Sequence, residues 1–317
     1  MSDASMVTAF APASIGNVGV GFDMLGLALA GVGDRVTAKR TDAAGIRIAE
    51  IRGLDGEIHP SLSTEPDQNT ASIAAKALWE AQGESTGIEL LLNKGIPLQS
   101  GMGGSAASAV AAVVAANALL PEPLPHEQLL PFAMEGEKYA SGGLHSDNVA
   151  PSLMGGLVLC PAVLLPRMMQ IKTPTGVSSV LLHPELQIDT VKARRSLARG
   201  YTLEQWLSQQ GYLAGFITGC ATDDHALIRQ SFHDVIIEPQ RSAAVVCFDA
   251  VKEAAMKADA LGASLSGSGP SIFALCMDAN ASNVATVMEQ ACRTSGVECQ
   301  SWVSPMTTPG AHVEDSQ

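Results

Sequence analysis

The chain carries little charge and no basic surplus. Of its 317 residues only 16% are charged, 32 Asp and Glu stand against 19 Lys and Arg, and the formal net charge is −13. Such a surface cannot neutralise a run of phosphates, so neither nucleic acid nor an anionic membrane is expected as a partner. The six cysteines, Cys160, Cys220, Cys247, Cys276, Cys292 and Cys299, form no CxxC pair. That excludes a zinc site or a disulfide framework and points to free thiols in a reducing cytosol. The first basic side chain is Arg35; without a basic start no signal peptide is expected, and the expected compartment is the cytoplasm. One uncharged run follows Ser105. It is short, mostly alanine, and holds Ser108 and Asn117, so it reads as a buried helix and not a membrane span. Nucleotide and hydrolase signatures are missing as well: there is no GxxxxGK[ST] and no GxSxG. The GxGxxG imitation at Gly19 and Gly21 has Met24 where the third glycine belongs.

What is present is a chain rich in small and aliphatic residues. At 46% hydrophobic it can bury a large core, and its length favours two domains over one. The stretches "MVTAFAPAS", "DRVTAKR", "GIRIAEIRG", "GIELLLNKGIP" and "SVLLHPELQI" predict strands. "QNTASIAAKALWEAQG", "HEQLLPFAMEGEKYASGG", "TLEQWLSQQGYLAGFITGC", "SAAVVCFDAVKEAAMKADALG" and "NASNVATVMEQACRTSG" predict helices. No regular βαβ rhythm links them, which favours α+β. The prolines from Pro161 to Pro166 mark a boundary between residues 1–165 and 166–317.

The segment "PLQSGMGGSAAS", Pro97 to Ser108, sets flexible residues directly against the alanine-rich helix. The first N–H groups of a helix have no intrahelical partner and carry partial positive charge, and glycines before them let an anion reach bare backbone. The segment is therefore a candidate phosphate cradle, with Ser105 placed as an N-cap or a metal-facing hydroxyl. A serine-capped tight turn is the plainer alternative.

Two further glycine-rich segments, "APASIGNVGVGFDMLGLAL" from Ala11 and "SLSGSGPSIFAL" from Ser264, flank that cradle in order. Together the three resemble the GHMP kinase superfamily, whose central motif is PxxxGLGSSAA; here Met102 replaces its leucine and Gly104 its first serine. Within the superfamily, "HSDNVAPSLMGG" (His145 to Gly156), "TVKAR" (Thr190 to Arg194) and "EPQR" (Glu238 to Arg241) are similar to the homoserine kinase family. The family's proline after "AR" is absent, and Arg195 stands beside Arg194.

The resemblance implies an N-terminal domain of ribosomal-protein-S5 domain 2-like fold and a ferredoxin-like C-terminal domain, with the active site between them and a homodimer expected. It implies ATP-dependent, Mg²⁺-assisted phosphorylation of L-homoserine on the route to threonine. Pro97, Ser100, Gly101, Met102, Gly103, Gly104, Ser105, Ala106, Ala107 and Ser108 would hold the ATP phosphates, with Asn69 and Lys94 near the adenosine. Ser105 and Glu137 would hold Mg²⁺. Asn17, Asp23, His145, Asn148, Arg194 and Arg241 would surround homoserine, and Thr190 would meet the transferring phosphate.

Elementary chemistry agrees with part of this. Two guanidinium forks suit a carboxylate, and Asp23, the only charge between Asp3 and Asp34, suits an ammonium. An asparagine at 148 can orient a hydroxyl but cannot take its proton, so direct transfer without a strong general base is expected. Asp147 is expected to be structural, because neighbouring side chains generally diverge. Two alternatives stay open: another small alcohol as acceptor, or a nucleotide-binding homologue without turnover.

Overall fold

The computed structural model describes residues 5–143, 145–198 and 200–314. Strands β1 (Met6–Gly16) and β2 (Leu25–Thr41) form a long antiparallel pair, followed by β3 (Gly45–Arg52), helix α1 (Thr70–Ala81) and β4 (Gly87–Asn93). Helices α2 (Gly104–Ala118), α3 (Leu130–Ser141) and α4 (Val149–Met154) come next, then the short strands β5 (Leu157–Leu159) and β6 (Met169–Ile171). The second half runs β7 (Val177–Pro184), α5 (Thr190–Arg195), α6 (Leu203–Thr222), α7 (His225–Ser231), α8 (Glu238–Arg241) and α9 (Phe248–Lys257). It continues with β8 (Gly262–Leu265), β9 (Ile272–Met277), α10 (Ala281–Thr294), β10 (Cys299–Pro305) and β11 (His312–Val313).

Two sheets result. The first has the order β11-β1-β2-β4-β3, with β5 pairing β2 and β6 pairing β5; β3 and β4 are parallel. The second, β10-β7-β9-β8, is antiparallel throughout. Its connections give the βαββαβ path of a ferredoxin-like unit, so the fold is α+β, as expected. Strand β6 lies past residue 165 yet extends the first sheet, and β11 returns to that sheet's edge beside β1.

Local chemistry explains the elements that matter for the site. Helix α2 is buried on every side from Ala106 to Asn117, because methyl-sized side chains let α1, α3 and the β1–β2 face all approach it. Its one interior amide is satisfied: Asn117 donates to the Leu124 carbonyl at 3.0 Å and accepts the Leu124 N–H at 2.8 Å. Among the described residues no helix is long and apolar enough to cross a membrane. Helix α9 buries Phe248, Val251 and Ala255, and α10 buries Val284, Met288 and Cys292. This one-sided spacing lays both helices on the second sheet. The helical spacing read from Ser242 begins as a helix only at Phe248, after a short 3₁₀ turn.

Candidate active site

Three tight backbone passages meet between the two sheets. The first is the β1–β2 turn, where Asn17, Val18, Gly19 and Asp23 all have positive φ (66°, 41°, 68° and 58°). Such a concentration of left-handed residues is uncommon, and for buried Val18 it is strained. The chain continues into a strand, not a helix, which removes any dinucleotide reading of the turn. The second passage is the loop before α2, with Gln99, Gly101 and Gly103 at φ 53°, 77° and 69°. The third is Ser266–Ser271, between β8 and β9.

Backbone hydrogen bonds tie the three together. Gly267 N–H donates to Gly16 O (3.1 Å), Ser14 N–H to Met102 O (3.0 Å) and Ser271 N–H to Ser100 O (3.1 Å), while Ser266 Oγ donates to Gly101 O at 2.6 Å. A Cβ on Gly101 would sit 2.6 Å from the Ser266 carbonyl, so the second and third passages can touch only through glycine.

Around this junction lies a cavity of about 460 Å³. Asn17, Asp23, Asn69, Lys94, Pro97, Ser100, Gly101, Gly103, Gly104, Ser105, Ser108, Glu137, His145, Asn148, Thr190, Arg194 and Arg241 all line it. Met102, Ala106 and Ala107 do not. Their side chains enter the core, and Ala107 N–H already makes the first intrahelical bond, to Gly103 O at 2.9 Å. A phosphate could therefore use the N–H groups of Gly104, Ser105 and Ala106, which precede that bond. Gly103 is the N-cap of α2, so Ser105 does not cap the helix. Its hydroxyl instead donates to Glu137 Oε2 at 2.7 Å.

Glu137 is 7% exposed, whereas Glu127 and Glu135 face solvent. No cluster of three or more His, Cys, Asp or Glu occurs among the described residues. A hydroxyl and one carboxylate still fit Mg²⁺, which is commonly held by one or two carboxylates together with substrate phosphates and water. Asn69 caps α1, accepting the Ala71 N–H at 3.0 Å and donating to Ser63 O at 3.1 Å. Lys94 is buried, and its ammonium points at Asp34, Gly104 O and Ser108. Thr190 opens α5 and meets Ser268 Oγ at 3.2 Å.

At the other end Arg194 and Arg241 flank the Phe22 ring, their guanidinium carbons 5.3 Å and 5.1 Å from its centroid. Arg194 also donates to Asp23 Oδ1 at 2.5 Å. Arg241 is 6% exposed and donates to the Gly267 carbonyl at 2.9 Å, while its Nε meets no partner among the described residues. Arg195 is exposed and lies outside the cavity. His145 Nδ1 is 3.6 Å from Asp23. Burial, opposed by Asp23 but aided by both arginines, lowers its pKa, so the ring is neutral near pH 7 and the contact is no ion pair. Asn17 organises the turn: its side chain accepts the Asp23 N–H (3.0 Å) and donates to Gly267 O (2.8 Å).

The expected divergence of Asp147 and Asn148 fails. A Cβ on Gly16 would lie 2.7 Å from Asp147 Oδ2 and 2.9 Å from Asn148 Nδ2, so the two side chains converge on one point. The fold permits this by leaving glycine there. Asn148 accepts the Ser14 hydroxyl at 2.9 Å, and Asp147 accepts the Asn17 N–H at 3.1 Å. Burial first, and then the charge of Asp23, push the Asp147 carboxyl up to about 7; the Asn17 N–H pulls the other way.

The profile of the GHMP kinases N terminal domain matches residues 69–156, and that of the GHMP kinases C terminal domain matches residues 225–294. The chain is 45% identical over 311 residues to a homoserine kinase of Xylella fastidiosa (strain M12), covering 98% of this chain and 94% of that protein. The chain belongs to the homoserine kinase family. A homoserine kinase of Chloroherpeton thalassium is 40% identical, covering 97% and 99% of the two chains. The crystal structure of homoserine kinase from Cytophaga hutchinsonii superposes with a TM-score of 0.91 at 39% identity, covering 99% of each chain. Against that family background, sequence reasoning missed Phe22 and Asp34. Phe22 had a usable signal, since it adjoins Asp23 inside the first glycine segment. Asp34 had none, because its role depends on partners 60 and 74 positions away.

Proposed function

We propose that this chain transfers the γ-phosphoryl group of ATP to the side-chain hydroxyl of L-homoserine, giving O-phospho-L-homoserine for threonine biosynthesis. The observation that carries this reading is the placement of Arg194, Arg241 and Asp23 in the same cavity as the loop before α2. The arginines supply paired, charge-assisted donors for a carboxylate, Asp23 supplies an acceptor for an ammonium, and a sugar or mevalonate would need only part of that set. Residues 1–165 would form the nucleotide-binding part, and residues 166–317 would contribute Thr190, Arg194 and Arg241.

In this reading the N–H groups of Gly104–Ala106 and the hydroxyls of Ser100 and Ser105 hold the phosphate chain. Ser105 and Glu137 would hold Mg²⁺, which when bound neutralises charge on the transferring phosphoryl group. Asn148, its carbonyl engaged by Ser14, presents its amide NH₂ to the acceptor hydroxyl and fixes one lone pair toward phosphorus. Thr190, on the cavity lining, would meet the transferring group. An amide takes no proton at neutral pH. The loose transition state of phosphoryl transfer tolerates this, since it depends on positioning and charge stabilisation. The proton leaves late, to phosphate or solvent.

The test is ADP release with homoserine, serine, threonine, mevalonate and galactose as acceptors. Homoserine is expected to give the highest kcat/KM, and equal turnover of mevalonate or galactose would refute the acceptor. Arg241→Ala and Arg194→Ala are each expected to raise the KM for homoserine by about 10- to 100-fold, the size of one charge-assisted bond, with the KM for ATP unchanged. A rise confined to ATP would assign that arginine to the nucleotide.

A further inference from the structure

Beside the loop before α2 lies a charged cluster to which the proposed transfer step assigns no direct part. Asp34 on β2 is 1% exposed. Its Oδ1 accepts the Gly95 N–H at 2.9 Å, and its Oδ2 accepts both the Lys94 ammonium and the Ser108 hydroxyl, the latter at 2.6 Å. Lys94 spends its other two protons on Gly104 O (2.9 Å) and Ser108 Oγ (2.7 Å). Every donor of the ammonium thus points to protein. The carbonyl it holds belongs to the first residue of α2, and Ser108 is one turn further along the same helix.

A buried ion pair contributes little net stability against an apolar replacement of the same shape, so its placement asks for another reason. Helices end in groups that the surrounding structure must orient, and α2 has no side-chain cap at its N-terminus. Its neighbours there are glycines at 101, 103 and 104, which by themselves leave the backbone free to wander. One carboxylate on β2, acting through Lys94 and Ser108, grips the first and second turns of the helix through the Gly104 carbonyl and the Ser108 hydroxyl.

We infer that Asp34 is a positioning residue for the reaction: through Lys94 and Ser108 it fixes the first turn of α2, so that the N–H groups of Gly104, Ser105 and Ala106 are aimed at the nucleotide's phosphates. The inference rests on the phosphate-binding reading of that loop. It also gives Lys94 a task other than contacting adenosine.

The two tasks separate experimentally in Asp34→Asn, which keeps an acceptor for Gly95 N–H but removes the charge that holds Lys94. Inhibition by inorganic tripolyphosphate and by adenosine is measured on wild type and variant, with the KM values for ATP and homoserine. The expected result is a roughly tenfold weaker tripolyphosphate inhibition and a similar rise in the KM for ATP, the scale of losses from orienting partners. Adenosine inhibition and the KM for homoserine stay within about twofold. Equal tripolyphosphate inhibition of both proteins would overturn the assignment, as would an equal loss for adenosine. Wild type that tripolyphosphate does not inhibit at all would overturn the loop reading itself. Should Asp34→Asn not fold, Ser108→Ala removes one arm of the grip and leaves the ion pair. It is expected to weaken tripolyphosphate about threefold with adenosine unchanged, and no change there overturns the assignment.

Discussion

Glu137→Gln is expected to lower kcat by about 10²–10⁴, the rate equivalent of several kcal/mol of lost charge stabilisation. The replacement is isosteric, and its amide oxygen can still accept the Ser105 hydroxyl that reaches Glu137 at 2.7 Å. Packing of α3 is therefore kept, and the melting temperature without nucleotide should not fall. What changes is the ligand: a neutral amide is a poor partner for a hard divalent cation. The apparent requirement for Mg²⁺ should move to higher concentration along with the loss of rate. A variant with near-normal kcat at low millimolar Mg²⁺ would remove Glu137 from the metal site.

Asp147→Asn is expected to separate stability from catalysis. In the folded chain the carboxyl titrates near 7 against an ordinary 3.8. The fold therefore prefers the protonated acid, and this contribution is complete below about pH 4 and is lost as pH rises to about 7. By linkage the difference is worth roughly 4 kcal/mol as an upper figure. Asparagine accepts the same Asn17 N–H and carries no charge to expel. Denaturant unfolding should show the variant more stable than wild type at pH 8, with the decline between pH 4 and 7 reduced. The kcat should change only a few-fold if, as proposed, Asn148 orients the hydroxyl and Asp147 serves to hold the Asn17 turn. A loss of about 10²–10⁴ in kcat, the range of general-base catalysis, would identify Asp147 as the proton acceptor, which its convergence with Asn148 makes a fair contest.

Sequence pattern was most informative where chemistry is contiguous. The glycine-rich segment from Pro97 and the helix that starts at Gly104 could be read as a unit, because glycine content and alanine-rich helix propensity are local properties, although the cap is Gly103 and not Ser105. Strand β2 was only half visible. "DRVTAKR" is readable as a strand from its β-branched residues, but "LGLALAGVG" is assigned to none, because its glycines interrupt the apolar pattern. A Cβ on Gly26 would lie 1.7 Å from the Asp147 carbonyl and one on Gly33 2.3 Å from the Ala11 carbonyl, so these glycines mark close backbone approach, not a turn. Within the site, residue types and motifs pointed to Arg194, Asp23 and Lys94 but not to their partners. Arg194 meets Asp23 across 171 positions and Lys94 meets Asp34 across 60, and no local period records such meetings. Asn69 and Lys94 line the cavity, yet their polar atoms are already engaged by protein.

The bond between Arg194 and Asp23 has a consequence for what this pocket can admit. A homoserine molecule that uses both side chains must first part them, so its capture is an exchange of partners and not a simple addition. The guest brings one negative and one positive group, and each finds the opposite charge that the opening released. A guest with only an amine, or only an acid, would replace one member of the pair and leave the other without its partner. On the proposed reading the closed pair would favour a guest that carries both charges, because only such a guest replaces both members of the bond that it opens.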